Sequence, residues 1–232
     1  MRWLLIGNSR WHWAERTSDG GLRGWDGPPL ESDEGTPPLA WAAVGPAPNP
    51  LACPPERQLN LADVPLLGCP PWLGVDRALA GWGAWQEHGE AVLVADAGTV
   101  LSLTRVDGSG TFRGGRLMAG LRLQLEAIAT HTTLIPGILR GPPGPNPMAE
   151  SDREADWPMA TAAAMRVGVE AALAAAVVEA TLEAGGPHLV LTGGDGRCLH
   201  RRMAPKLERL GLTASLRPLL CLVSLASLRP PP

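Results

Sequence analysis

The stretch AVLVADAGTVLSLTRVDGSGTFRGG, residues 91–115, carries the clearest structural signal in this chain. An apolar run leads to Asp96, and Gly98 and Thr99 then form a tight turn. A second β-type run follows, and the sequence DGSG at 107–110 is typical of a hairpin turn. The pattern predicts a strand that ends in a carboxylate, directly before a glycine at which a ligand can approach the backbone closely.

The N-terminus repeats this pattern without the acid. An apolar run leads to Gly7, Asn8 and Ser9, and a second run follows, but Leu5 stands where Asp96 stands in the later copy. Backbone amides and hydroxyls in turns of this kind can bind phosphate. The repeat predicts two similar halves with a ligand between their glycine turns. On periodicity alone, two ordinary hairpins in one mixed sheet are the alternative.

The order of the remaining elements indicates an α/β protein with a strand–turn–strand at the start of each half. We place the N-terminal half at 1–90, with the first phosphate turn and a substrate segment. The C-terminal half at 91–232 holds the second phosphate turn, a long helix and a glycine loop. The further elements predicted are a loop at 17–38, strands at 41–44 and near 58–61, helices at 76–87 and 121–130, a loop at 137–150, an Ala-rich helix ending near 183, a strand at 189–192, a helix at 201–210 and a final strand or extended segment at 219–225.

Composition excludes several classes of function. The net charge is −3 and basic residues form no stripe, so no nucleic-acid partner is expected. The only lysine is Lys206, and no GxxxxGK[ST] motif occurs, which excludes a Walker-type NTPase. The four cysteines are scattered, which favours reduced thiols and a cytoplasmic location. The most apolar stretch, 159–182, contains Arg166 and Glu170, so we expect a buried or interfacial helix and no membrane span.

Six segments, taken together and in order, resemble the type III pantothenate kinase family of the acetate kinase/sugar kinase/Hsp70/actin superfold. They span nearly the whole chain. The segments are Gly7-Asn8-Ser9 with Trp13-Ala14; Ala42-Ala43-Val44-Gly45-Pro46; Gly74-Val75-Asp76-Arg77; Asp96-Ala97-Gly98-Thr99 with Gly114-Gly115 and Ala119-Gly120-Leu121; Thr161 with Gly168; and Leu191-Thr192-Gly193-Gly194-Asp195.

The resemblance implies a fold and an activity. The fold would be two actin/ribonuclease-H-like halves with mixed sheets and a ligand cleft between them. The activity would be ATP-dependent phosphorylation of pantothenate to 4′-phosphopantothenate, the first step of coenzyme A biosynthesis. The family resemblance further implies a homodimer, Mg²⁺ with the ATP, and a monovalent cation, K⁺ or NH₄⁺.

The resemblance also implies the role of each site residue. Asp76 corresponds to the family's proton acceptor, Asp96 to the ligand of the monovalent cation, and Thr99 to an ATP contact. The 193–195 turn would lie on the adenosine side. The residues implied to bind pantothenate are Gly74, Val75, Asp76, Arg77 and Thr161. The residues implied to bind ATP at the first turn are Leu5, Ile6, Gly7, Asn8, Ser9, Arg10, Trp11 and His12.

The chemistry of these residue types agrees with the implied roles. Phosphoryl transfer needs an alcohol held in line with the γ-phosphorus, and a carboxylate such as Asp76 can accept the alcohol's proton. The guanidinium of Arg77 suits the carboxylate of pantothenate. The structural alternatives are that Asp76 is a helix N-cap, that Asp96 bonds turn amides, and that Thr161 packs inside a helix.

The chain departs from the family pattern at one position. The family opens with D-x-G-N-T, and its first acid lies near the Mg²⁺–phosphate site, whereas Leu5 cannot bind a metal. Two alternative functions therefore remain: a non-catalytic nucleotide-binding regulatory relative, or a kinase of another small alcohol on the same superfold. The stretch 167–182 is apolar around most of its circumference, and we expect it at a dimer interface.

Overall fold

Two mixed β-sheets with two helices between them form the framework of the protein. The computed structural model describes residues 1–27, 37–45, 53–132 and 156–230. The first sheet has the strand order β3-β2-β1-β4, and only the β1–β4 pair is parallel. Its strands are β1 (Arg2–Ile6), β2 (Trp11–Arg16), β3 (Leu22–Gly27) and β4 (Ala40–Ala43).

The second sheet repeats the topology of the first. Its order is β7-β6-β5-β8-β9, so an antiparallel β7-β6-β5 meander again has a parallel strand beside its first member. Its strands are β5 (Val92–Ala97), β6 (Val100–Val106), β7 (Phe112–Ala119), β8 (His188–Thr192) and β9 (Ala214–Leu216). The internal repeat predicted from the two glycine turns is therefore confirmed.

In the part of the chain that the structure describes, five α-helices cover the sheets. They are α1 (Val75–His88), α2 (Leu121–His131), α3 (Thr161–Glu183), α4 (Gly196–Arg209) and α5 (Leu220–Leu228). One core joins α1 and α5 to the facing sides of both sheets, and a second core joins α2, α3 and α4 to the outer side of the second sheet. The layers are thus sheet, helices, sheet, helices.

Strand alternation decides which side chains face the central layer. Trp3 and Leu5 belong to the central core, whereas Leu4 and Ile6 pack on the outer face of the first sheet. In β5, Val94 belongs to the same central core. Asp96 lies two residues beyond Val94 and therefore on the same face, since strand side chains alternate with a period of two. The acid thus lies at the open end of the layer between the two sheets.

Two sequence predictions are wrong, for identifiable reasons. The 17–38 loop contains β3, where Gly and Asp residues obscured the strand pattern; Trp25 stacks on Trp13 at 6.3 Å, and the missing side chain of Gly24 makes room for Leu219. The final segment is the helix α5, because a short apolar run does not by itself distinguish strand from helix. It packs so closely on α1 that Ser224 fills the space of a side chain at Gly83.

Other boundaries differ less. The predicted strand near 58–61 is a single bridge from Gln58 to Trp41, followed by a 3₁₀ turn at Leu61–Asp63. Helix α4 begins at Gly196, five residues before the predicted 201. The 137–150 loop lies outside the described residues.

Helix α3 is the most apolar long helix in the described part of the chain. By length and composition alone it could cross a membrane. However, it carries an ion pair between Arg166 Nε and Glu170 Oε1 at 2.9 Å, and Val169, Leu173 and Val177 pack in the second core. One face of this helix therefore packs in the folded core.

Candidate active site

The two glycine turns meet at one end of the central layer. Ser9 Oγ and Thr99 Oγ1 are 2.8 Å apart, each just beyond the first strand of its sheet. The first turn is closed by Gly7 N, which donates to Arg10 O at 2.9 Å. Asn8 and Ser9 are exposed beside it. The structure therefore brings together the two turns that the sequence predicted to bind phosphate.

Glycines allow the second turn to pack closely against its neighbours. Gly193 follows β8 with φ of +81°, and a Cβ there would lie 2.5 Å from Asp96 Oδ1 and 2.6 Å from Ala97 O. A Cβ at Gly120 would collide with the carbonyl of Gly98. Asp195 N donates to Ala97 O at 2.9 Å, which ties the loop after β8 to the end of β5. This turn thus depends on residues without a side chain.

Asp76 lies in the first turn of α1, within electrostatic range of Asp96. Its carboxylate accepts a hydrogen bond from the backbone amide of Arg77 at 2.8 Å. The N-cap of α1 is Gly74, so the N-cap interpretation of Asp76 is wrong. Burial raises the pKa of the Asp76 carboxyl, and the amide and charge of Arg77 only partly offset this.

Asp96 is buried and lies within electrostatic range of the Asp76 carboxylate. Burial, and secondly the charge of Asp76, raise the pKa of the Asp96 carboxyl to about 6, against an ordinary 3.8. Buried carboxyl groups with raised proton affinity, close enough to influence one another, are typical of functional sites and of cation sites. The interpretation of Asp96 as a mere turn stabiliser accounts for neither effect.

Arg77 is held by the neighbouring strand β6. Its Nε donates to Thr104 Oγ1 and its Nη2 to the carbonyl of Leu103, each at 3.2 Å, and the guanidinium lies 5.7 Å from the ring centre of Phe112. A guanidinium carries five N–H groups, so these bonds orient the group and leave further donors.

Cys221 on α5 is buried against the start of α1, and sequence reasoning missed this contact. Its Sγ lies 3.6 Å from the carbonyl oxygen of Asp76. Burial, followed by the charges of Asp96 and Asp76, raises the pKa of this thiol well above its usual range, so it stays neutral. Because the sequence pattern predicts a strand or extended segment here, it does not reveal that Cys221 lies beneath α1.

The remaining residues of the stretch 5–12, which the resemblance assigns to ATP, follow strand alternation. Leu5 is buried in the central core, whereas Ile6 belongs to the outer cluster. Trp11 packs near Trp13 with ring centres 6.4 Å apart. Arg10 and His12 both bind Asp26 of β3, a residue that sequence reasoning missed because β3 itself was missed.

Thr161 is the first residue of α3 and is exposed. It follows a segment outside the described residues, and within the described part of the chain the structure shows no hydrogen bond from it to the other site residues. Beside Gly74 and Val75 an open cavity of ≈ 320 Å³ extends to the end of β4, and Gln58 and Asn60 supply polar groups to its lining.

Comparison with known proteins agrees with this geometry. The sequence model of the type III pantothenate kinase family matches residues 67–183. A type III pantothenate kinase of Synechococcus sp. (strain JA-2-3B'a(2-13)) is 41% identical over 181 residues, covering 72% of this chain and 68% of the relative. Another, from Synechococcus sp. (strain JA-3-3Ab), is 36% identical over 219 residues and covers 88% and 84%.

Solved structures show the same fold at low identity. A Campylobacter jejuni protein assigned to the Baf family of transcriptional activators aligns with a TM-score of 0.60 and 15% identity, covering 98% of this chain and 96% of that one. A Sinorhizobium meliloti protein assigned as a 2-dehydro-3-deoxygalactonokinase aligns with a TM-score of 0.57 and 15% identity, covering 98% and 95%.

Two repeated mixed sheets, whose glycine turns meet at one end of a shared helical layer, place the chain in the actin-like sugar kinase fold. The family match and the identity to curated relatives are more specific: the chain belongs to the type III pantothenate kinase family. It is therefore an enzyme that transfers phosphate to an alcohol, and its function is pantothenate phosphorylation in coenzyme A biosynthesis. Neither alternative function is favoured.

Membership of a kinase family implies ATP use, typically with Mg²⁺. No group of three or more His, Cys, Asp and Glu side chains that could hold a metal occurs among the described residues. Mg²⁺ is usually held by one or two carboxylates together with substrate phosphates, so a larger cluster is not needed. Asp76 and Asp96, whose pKa values are raised, fit a cation that binds with the nucleotide.

Proposed function

We propose that Asp76 is the general base of pantothenate phosphorylation. The observation that carries this proposal is the carboxylate's position in the first turn of α1, within electrostatic range of the buried Asp96 at the end of β5. In the step, Asp76 takes the proton of pantothenate's primary hydroxyl, whose oxygen bonds to the γ-phosphorus as the bond to the β-phosphate oxygen breaks and ADP leaves. Such proton acceptance contributes about 10²–10⁴ in rate.

The environment of Asp76 supports this role. A base is most efficient when its pKa approaches the working pH, and burial raises the pKa of Asp76 in that direction. The bond from the Arg77 amide fixes one carboxylate oxygen at 2.8 Å, which orients the group for an incoming hydroxyl.

The two turns are assigned to the phosphates of ATP, and the 193–195 loop to its adenosine side. The amides of Gly7 and Gly98 donate within their own turns, to Arg10 O at 2.9 Å and to Val100 O at 3.3 Å, so the phosphates would contact other groups of these turns. Ser9 and Thr99 place two hydroxyls side by side at the mouth of the site. Bound Mg²⁺ would neutralise charge on the transferred phosphoryl group.

Asp96 is assigned to the monovalent cation, K⁺ or NH₄⁺. Its raised pKa indicates that its negative charge is poorly compensated by the protein itself. A bound cation would supply the missing charge next to the phosphates. Leu5 supplies no carboxylate where the family has its first acid. Asp76 and Asp96 would supply the negative charge for bound cations instead.

Pantothenate is assigned to Gly74, Val75, Asp76 and Arg77, with Thr161 as a further contact. The cavity of ≈ 320 Å³ beside Gly74 and Val75 gives room for a small extended substrate. The donors of Arg77 that β6 leaves free suit its carboxylate.

We further propose a cytoplasmic homodimer. Ala164, Gly168, Ala171 and Ala175 form an exposed face of small residues along α3. Small side chains allow the backbones of two helices to approach closely, so this face suits a second copy of the chain. Measurement of the mass in solution tests this assembly independently of the activity.

A coupled ADP-release assay tests the proposed activity. Activity that requires pantothenate supports it. ATP binding without turnover would instead indicate a non-catalytic relative, and turnover of other alcohols alone would indicate a different kinase.

A further inference from the structure

A row of three residues crosses the first sheet at its cleft end. Leu5 of β1 pairs with His12 of β2, and His12 pairs with Asp26 of β3. Directly paired residues of antiparallel strands project to the same face of a sheet. Because Leu5 faces the central layer, His12 and Asp26 project towards it as well. The row therefore begins in the core and ends at the open cleft.

Asp26 binds both basic side chains at this edge. Its Oδ1 is 2.7 Å from His12 Nδ1, and its Oδ2 accepts from Arg10 Nη1 at 2.9 Å. Burial tends to raise the pKa of Asp26, but the hydrogen bonds from His12 and Arg10 outweigh it and lower that pKa. Asp26 is thus ionised at neutral pH and accepts only, so the hydrogen of this bond sits on His12 Nδ1.

The opposite ring nitrogen of His12 faces the phosphate turn. A Cβ placed on Gly7 would lie 3.4 Å from His12 Nε2. The side chains of His12 and Asp26 remain 39% and 47% exposed, so a ligand can reach them. His12 also acts electrostatically on Asp96, which places the imidazole within range of the carboxylate pair.

We propose that Asp26 is a positioning residue, which holds His12 so that Nε2 faces the phosphates of ATP above Gly7. Asp26 accepts the hydrogen on Nδ1, so Nε2 is the ring nitrogen that faces the turn, and the imidazolium form would carry a hydrogen there for a phosphate oxygen. The row thereby brings an ionisable ring to the cleft end of the first sheet, where the side chain of Leu5 is apolar. This inference rests on the proposed assignment of the Gly7–Ser9 turn to ATP.

The Asp26→Asn variant tests this inference. Asn retains the size of the side chain but not its charge, and loss of one charged hydrogen bond is worth about ten-fold in affinity. We expect the KM for ATP to rise about ten-fold, the KM for pantothenate to stay within about two-fold, and the melting temperature to change little. Asp19→Asn is the matched control, because Asp19 caps the far end of the same β2–β3 hairpin.

A double-mutant cycle with His12→Asn identifies the route of the effect. If Asp26 acts through His12, Asp26→Asn should have little further effect on ATP binding in the His12→Asn background. An undiminished effect in that background, or equal effects on both KM values, would overturn the proposal. The same cycle can be measured by calorimetric ATP binding, which needs no turnover. A protein without pantothenate-dependent activity would overturn the proposed function, and the binding data would still test the role of Asp26.

Discussion

Ser9 Oγ and Thr99 Oγ1 lie 2.8 Å apart, although 90 residues separate them in the chain. Each hydroxyl follows the first strand of its own sheet, and the two sheets share one central layer. The contact therefore joins two copies of one structural unit at the place where their turns converge. A ligand held by both turns would contact both halves of the protein at once.

Replacing Gly193 by Ala should damage both stability and catalysis. The φ of +81° is strained for any residue with a Cβ, at about 1–3 kcal/mol. The new Cβ would also crowd Asp96 Oδ1 and the carbonyl of Ala97. We expect a lower melting temperature and reduced kcat.

The neighbouring Gly194 provides the matched control for this variant. Its φ lies outside the left-handed region, and a Cβ added there would have no atom within 4 Å, so Gly194→Ala should behave nearly as the wild type. Equal effects at the two positions would argue against the close packing of this loop on Asp96.

Replacing Asp96 by Asn should stabilise the ligand-free protein while reducing turnover. The pKa of Asp96 is raised from 3.8 to about 6, so the folded state holds its proton more tightly than the unfolded state. The ionised group then costs stability above about pH 6, on the order of 1–3 kcal/mol, and nothing below about pH 4. Chemical unfolding of both proteins at about pH 8 and about pH 4 measures the difference.

Asp107 gives a control of opposite sign. The hydroxyl of Ser109, followed by the Thr111 amide and Arg113, holds the pKa of that carboxyl well below its usual range. Asp107→Asn should therefore lose stability at about pH 8, where the wild-type carboxylate is ionised. A pH-independent effect of Asp96→Asn would contradict the assignment of a buried, uncompensated charge.

Replacing potassium by sodium at constant ionic strength should lower kcat strongly if Asp96 holds the monovalent cation. Cation size and coordination differ between the two salts while screening stays the same. Asp96→Asn should abolish the difference between the salts, as measured by the ADP-release assay. Equal wild-type rates in both salts would remove Asp96 as the cation ligand.

The exposed small residues of α3 predict a dimer in solution. Light scattering at micromolar concentration should give twice the chain mass, and Ala171→Arg should give the monomer because a long charged side chain prevents close approach of two helices. Glu208→Arg, an exposed position on α4, is the control and should remain dimeric. A monomeric wild type would contradict the proposed assembly.

The sequence predicted the elements that form from interactions between residues close together in the chain. The glycine turns at Gly7 and Gly98, the strand before Asp96 and the helix that follows Gly74 were all predicted, because periodicity and turn chemistry act over a few residues. The juxtaposition of Asp76 and Asp96 was implied by family resemblance alone, since no local rule brings α1 to the end of β5.

What the sequence did not reveal depends on distant contacts. Strand β3 forms because β2 offers an edge and Trp13 a stacking partner, so Asp26 could not be placed beside His12 in advance. Helix α5 is stabilised by its packing on α1. This packing also places Cys221 against the carbonyl oxygen of Asp76. The pKa shifts of the two carboxyls likewise arise from burial between layers that the sequence does not specify.

The central claim is that Asp76 accepts the substrate's proton. Asn at this position can still accept the hydrogen bond of the Arg77 amide, and Gly74 remains the N-cap of α1, so the fold should be retained. Asp63→Ala provides a contrast: Asp63 bonds the Asn60 amide and pairs with Arg229 at 3.2 Å, so its loss should lower the melting temperature and leave kcat unchanged.

The most direct measurement is kcat of the Asp76→Asn variant, taken together with its melting temperature and ATP affinity. We expect kcat to fall by about 10²-fold or more, because an amide cannot take the hydroxyl proton as a carboxylate does, while stability and ATP affinity stay nearly unchanged. Turnover close to that of the wild type would contradict the account and remove Asp76 from the mechanism.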